Sequence, residues 1–128
     1  MAHAQASIGI TNYAVAITAG HHELKADEGP DLGGKDVGPS SYELLSSTLC
    51  ACTAITLRMY AEQKQWPLHG VHVDARHKKA NNEEVIDRVL KFEGELDDQQ
   101  RMRLADIAER TPVTLTLKQG LAIRTSLE

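Results

Sequence analysis

The sequence predicts an α+β fold built around one long apolar helix, with a second copy of the chain helping to cover it. Three observations lead there. Residues 44 to 57 carry no charge on any face of what reads as a helix, and a helix apolar all round must be covered on most sides. Segments before and after it alternate with the period of half-buried strands. The chain has 128 residues, enough for a single domain over 1–128, yet aromatic residues are only 4%. Few large rings mean less buried area per residue. Burial of the helix between two subunits, in a homodimer, is the simplest answer.

The elements follow in order. Residues 5 to 28 read as strands, with Tyr13, Val15 and Ile17 alternating against Ala14, Ala16 and Thr18. Thr11-Asn12 and Gly20-His21 are turn signals. Residues 29 to 40 are rich in Gly, Pro and Asp, which predicts a long loop. Ser40 and Glu43 match a capping box, each side chain satisfying a backbone N–H of the first helical turn. The helix should run from Ser40 to about Lys64 and stop at Trp66-Pro67. A strand over 68–77 sets Val71, Val73 and Ala75 against His72, Asp74 and Arg76. Lys78 to Asn82 is expected as a polar loop into a strand over 84–93, with Ile86, Leu90 and Phe92 on one side. Asp97 to Arg110 is an amphipathic helix opened by a second capping box, Asp97 with Gln100, and its inner stripe is Leu104, Ile107 and Ala108. Thr111-Pro112 starts a short helix, Thr as N-cap and Pro at the first helical position. Gly120 ends it, and Leu121 to Leu127 is expected as a last strand.

Composition narrows the function. The net charge is −4 and the pI about 5.8, with no basic stripe, which argues against nucleic acid. The N-terminus has neither the basic nor the apolar region of a signal peptide. The uncharged stretch from Leu44 to Leu57 is shorter than a bilayer span, so a soluble, cytoplasmic protein with no membrane partner is expected. The two cysteines, Cys50 and Cys52, are one residue apart, which fits free thiols in a reducing compartment better than a disulfide framework. His21-His22 on a strand face opposite ways, as do His69 and His72, so no spacing suits zinc. Gly33-Gly34-Lys35 lacks the rest of a phosphate-binding loop. Neither a metal nor a cofactor is expected.

One segment carries a resemblance. Residues 38 to 68, GPSSYELLSSTLCACTAITLRMYAEQKQWPL, are similar to the signature of OsmC-like proteins, in which Gly-Pro-Ser-Pro-Tyr-Glu-Leu-Leu leads into a helix with an Ala-Cys-Thr-Ala motif. Glu93-Gly94, Leu96-Asp97-Asp98, Ile107-Ala108-Glu109-Arg110 and Thr111-Pro112-Val113 also resemble that family, over about residues 20 to 128 in all. The resemblance implies an OsmC/Ohr fold, with β-sheets wrapped around the long central helix, in an intertwined homodimer. It implies reduction of organic hydroperoxides. A helix cysteine attacks as thiolate and becomes a sulfenic acid. A second cysteine, in a Cys-Pro-Val junction, closes a disulfide, and a dithiol, often a lipoyl group, reopens it. An arginine and a glutamate hold the first cysteine as thiolate.

Carried over residue by residue, Cys52 matches the attacking cysteine; the bland alternative is a small buried apolar side chain. Thr111 stands where the second cysteine would be, so an external thiol would have to reduce Cys52. Cys50 could be a resolver only if the helix opened, because residues two apart on a helix diverge; packing against a neighbour is the simpler role. Lys25 lies nearest the family's arginine but lacks its fork. Arg58, six residues beyond Cys52, is the other possible supporting charge, but it points away from Cys52 and fits a role covering the helix end. Glu43 resembles the family's acid, or serves only the cap; Tyr42 falls where the peroxidases have their glutamate, and it either lines a pocket or packs. The leading function is cysteine-dependent reduction of a small apolar peroxide. The alternative is a non-catalytic protein that holds a small molecule on the same dimeric fold.

Overall fold

The computed structural model describes residues 1–128, which form two compact units, Met1–Leu45 and Ser46–Glu128. The first is built on an antiparallel sheet, β1 (Ala4–Ser7), β2 (Val15–Ala19) and β3 (His22–Ala26), in that order. The alternation at Val15 and Ile17 appears as half-buried positions between exposed ones. The turn at Gly20-His21 is where it was expected, with Gly20 at φ 62°, a conformation glycine adopts without steric cost.

The Gly- and Pro-rich loop after β3 is organised by one carboxylate. Asp27 is 3% exposed. It accepts backbone N–H bonds from Tyr13 (3.2 Å), Glu28 (2.8 Å), Lys35 (3.1 Å) and Val37 (3.2 Å). Burial works against its charge, but the four donors prevail and hold its carboxyl below the ordinary carboxylate value. Gly34 lies so close that a Cβ there would sit 1.9 Å from the Glu28 carbonyl oxygen, which explains a glycine in this loop.

Helix α1 spans Ser41–Lys64. Its capping box forms as expected: the Ser40 N–H donates to Glu43 Oε1 (2.9 Å) and the Glu43 N–H to Ser40 Oγ (3.2 Å). The helix ends at Gln65, at φ 57°, where the Trp66 N–H donates to the Ala61 carbonyl at 2.9 Å. Only one stripe is buried: Leu49, Thr53, Leu57 and Ala61, each one turn from the last. Ile55 and Met59 stay 55% and 60% exposed. By length and hydropathy alone α1 could cross a bilayer, but its stripe packs into a protein core and it carries Arg58 and Glu62 as well.

The second unit adds the hairpin β4 (Leu68–Ala80) and β5 (Glu83–Gly94), and the helices α2 (Asp98–Ala108) and α3 (Pro112–Gln119). The expected loop at Lys78–Asn82 is much shorter in fact. The strands continue to Ala80 and from Glu83, and a two-residue turn, Asn81 (φ 55°) and Asn82 (φ 64°), joins them. Asparagine tolerates that left-handed pair, which matches the twist of the strands. Helix α2 opens on the Asp97–Gln100 capping box and α3 on Thr111. Leu57 and Ala61 of α1, Leu68 of β4, and Leu104 and Ala108 of α2 form the core, flanked by Trp66, Leu90 and Phe92.

The last expected strand is not there. Leu121 to Leu127 pairs with no strand, and Leu121, Ile123 and Leu127 are 67%, 87% and 99% exposed. Alternating apolar residues equip a segment to be a strand, but an edge must supply its hydrogen bonds. Neither sheet of this chain takes the segment up at its edges.

Candidate functional site

The site is built on the second unit. Thr53 belongs to the buried stripe of α1 and is fully enclosed; its hydroxyl donates to the Leu49 carbonyl at 2.7 Å. Cys52, one residue earlier, is turned about 100° from that stripe and is half-buried. Its sulfur meets the start of α3. The Val113 N–H donates to Cys52 Sγ at 3.5 Å, and Thr56 Oγ1 lies 3.9 Å from it. Val113 is the second residue of α3, so its N–H has no carbonyl within the helix to bond. Cys52 Sγ serves as the acceptor.

Thr111 stands at the same helix start, fully buried. Its Oγ1 accepts the Thr114 N–H at 3.3 Å, and the two hydroxyls are 2.6 Å apart. The Thr114 hydroxyl donates in turn to the Ala108 carbonyl at 3.2 Å. The resemblance links the positions of Cys52 and Thr111, and the fold brings their elements together, with the N-terminal turn of α3 against the sulfur of α1.

Arg88 was missed. It lies on β5 opposite Ala75, on the face of Ile86, Leu90 and Phe92, with a side chain only 10% exposed. One guanidinium nitrogen donates to Thr53 Oγ1 (2.9 Å) and Thr114 Oγ1 (3.0 Å); the other donates to the Ala108 carbonyl (2.9 Å) and Glu109 Oε2 (2.8 Å). The signal was in the alternation: a charge at the position of an apolar face needs an internal partner. Glu109 is partly desolvated, but Lys118 and Arg88 beside it hold its carboxyl below the usual range.

The other named residues have positions and partners of their own. Cys50 turns to β4, its thiol donating to the Val73 carbonyl at 3.6 Å. The two sulfurs therefore have different partners, and both are free thiols. Arg58 donates to Glu62 Oε1 at 3.3 Å and to the Leu68 carbonyl, at the junction of α1 and β4. Lys25, Tyr42 and Glu43 belong to the first unit: Lys25 is exposed on β3, Tyr42 is 48% exposed, and Glu43 is engaged in the cap. The Ser40 backbone and side-chain hydrogen bonds hold the Glu43 carboxyl below its ordinary value. No three His, Cys, Asp or Glu side chains converge as a metal site would require.

An open groove of about 450 Å³ runs between α1 and β4, lined by Ala54, Ile55, Arg58, Met59, Glu62 and Val71. Ile55 and Met59 lie three and seven residues beyond Cys52, on the same side of the helix.

The architecture is a known one. The OsmC-like protein of Mycoplasma pneumoniae superposes with a TM-score of 0.79 at 16% identity, over 92% of this chain and 87% of that one. An organic hydroperoxide resistance protein OsmC of Legionella pneumophila gives 0.68 at 20% identity, over 92% and 89%. An organic hydroperoxide resistance protein of Elizabethkingia anophelis gives 0.68 at 17%, over 91% and 87%. No curated protein sequence matches the chain. The sequence model of OsmC-like proteins matches residues 33–126, which takes in α1, the β4–β5 hairpin, α2, α3 and the threonine-capped junction, and the chain belongs to the OsmC-like family.

Proposed function

We propose that the protein reduces organic hydroperoxides with Cys52 as nucleophile, as a cytoplasmic homodimer acting in oxidative stress. The observation that carries this reading is the Val113 N–H aimed at Cys52 Sγ from the first turn of α3. A thiolate is the competent nucleophile, and helix N-termini favour it through free N–H groups and the helix dipole. The sulfur attacks the outer peroxide oxygen, an S–O bond forms as the O–O bond breaks, and the alkoxide takes a proton and leaves as alcohol. Cys52 is then a sulfenic acid. Thr111 offers no sulfur, so an external thiol attacks, releases water and forms a mixed disulfide, and a second thiol frees Cys52. The relatives that share the fold include hydroperoxide resistance proteins, which supports the choice of substrate.

The homodimer is supported by the uncovered apolar side of α1 at Ile55 and Met59, and by the unpaired, alternating Leu121–Leu127 segment. A second copy could cover the one and offer an edge to the other.

A non-catalytic role in holding a small apolar molecule is the second reading. Thr111 favours it, since the two-cysteine cycle is closed to this chain, and so does the groove at Ile55 and Met59. Intact-mass measurement after cumene hydroperoxide separates the two. The enzyme gains one oxygen rapidly, in wild type and Cys50→Ser but not in Cys52→Ser, and a dithiol reverses it. Slow oxidation without preference for Cys52 would leave the binding role standing.

A further inference from the structure

We propose that Arg88 is the positioning residue of the Cys52 site, holding α3 so that its first turn stays on the sulfur. The inference rests on the reading of Cys52 as a reactive thiol, but it concerns a residue that neither the motif nor the family resemblance brought forward.

The geometry is a clamp. A single nitrogen of Arg88 bonds Thr53, the residue after Cys52, and Thr114, the residue after Val113. Val113 is the residue whose N–H reaches Cys52 Sγ. The guanidinium therefore ties together the two neighbours of the N–H···S contact. Its other nitrogen fixes the end of α2 at Ala108 and Glu109, from which the chain turns into α3. Besides Arg88, α3 is held by the Thr114 hydroxyl on the Ala108 carbonyl and by Lys118 on Glu109; Thr114 is its only buried residue, and the chain beyond Gly120 is exposed. A buried helix start with so few apolar contacts depends on its polar ones. The planar fork of arginine bonds two elements in fixed directions, which a lysine ammonium on a flexible stem does not. Its cross-strand partner is the small Ala75.

Arg88 touches Thr53 and Thr114 and acts on Cys52 through them. Its removal should release the amide from the sulfur without disturbing Cys50, which bonds the Val73 carbonyl on β4.

The test compares wild type with R88M, R88K and T114V, each checked for folding by circular dichroism. Alkylation of Cys52 by iodoacetamide at neutral pH is followed by peptide mass spectrometry, with Cys50 in the same molecule as the control. The amide resonance of Val113 is followed by NMR. We expect Cys52 alkylation to fall about tenfold in R88M, the size expected on losing one hydrogen bond to a charged acceptor. Cys50 should stay unchanged and R88K should fall between. The Val113 amide should move in R88M and T114V toward its position in Cys52→Ser. T114V cuts the hold on α3 but also removes the Thr114 bonds to Ala108 and Thr111, so R88K decides the matter if R88M does not fold. Folded variants with wild-type Cys52 rates and an unmoved Val113 resonance would overturn the proposal. Because the probe is an alkylating agent, the two readings fail separately. A wild type inert to hydroperoxide but sensitive to R88M sinks only the peroxidase, and an active wild type indifferent to the variants sinks only the clamp.

Discussion

Thr111 does a job that a cysteine could not do as well. Its hydroxyl accepts the Thr114 N–H and bonds the Thr114 hydroxyl, whereas a thiol is a weak acceptor. Replacing it by alanine should cost about 1 kcal/mol for the lost cap, read as a lower midpoint in urea. Replacing it by cysteine should weaken the cap but place a second sulfur beside the turn that touches Cys52. Thr111→Cys treated with cumene hydroperoxide should then lose two hydrogens from its mass, where wild type gains an oxygen. A variant that gains oxygen just as wild type does would show that position 111 is out of reach of Cys52. At this scale the sequence was only partly legible. Cys52 and the Thr111 cap were readable from a motif and a local signature. The Val113–sulfur contact was not, because it joins residues 61 apart, and no local pattern encodes it. Arg88 could have been found, since it breaks the apolar face that Ile86, Leu90 and Phe92 define.

At the scale of elements, the loop from Asp27 to Val37 and the core under α1 make contrasting predictions. The Asp27 carboxyl is lowered, so its contribution to stability is complete above the ordinary carboxylate value and is lost as pH falls through its lower folded one. Wild type should therefore lose melting temperature steeply below about pH 4. Asp27→Asn should melt lower at neutral pH and show a shallower acid slope; equal slopes would remove Asp27 from this role. Leu57 is fully buried between α1, β4 and α2. Leu57→Ala should cost about 2–5 kcal/mol, measured by urea denaturation, with no pH dependence of its own. Helix ends were the most legible elements, because capping is a local chemistry: Ser40 with Glu43 and Asp97 with Gln100 both form as read. Hairpin length was less so. Polar residues at Lys78 to Asn82 suggest a loop, yet on a solvent-facing ribbon polar side chains are equally at home within the strands.

For the whole molecule, the chain carries more apolar surface than it covers by itself. Helix α1 buries one stripe and leaves Ile55 and Met59 open. The terminal Leu121–Leu127 alternates like a strand but pairs with none. The first feature was legible as an uncharged run, and the second was read as a strand because periodicity records what a segment can pair with and not where the partner lies. Both fit the proposed second copy. Charged substitutions Ile55→Glu and Met59→Glu should therefore weaken self-association, seen as earlier appearance of the single-chain species on dilution. The most direct measurement is the mass of the untouched protein by light scattering behind gel filtration. The account predicts twice the 14.0 kDa of one chain at micromolar concentration. A stable species of one chain's mass, folded and with α1 exposed, would contradict it.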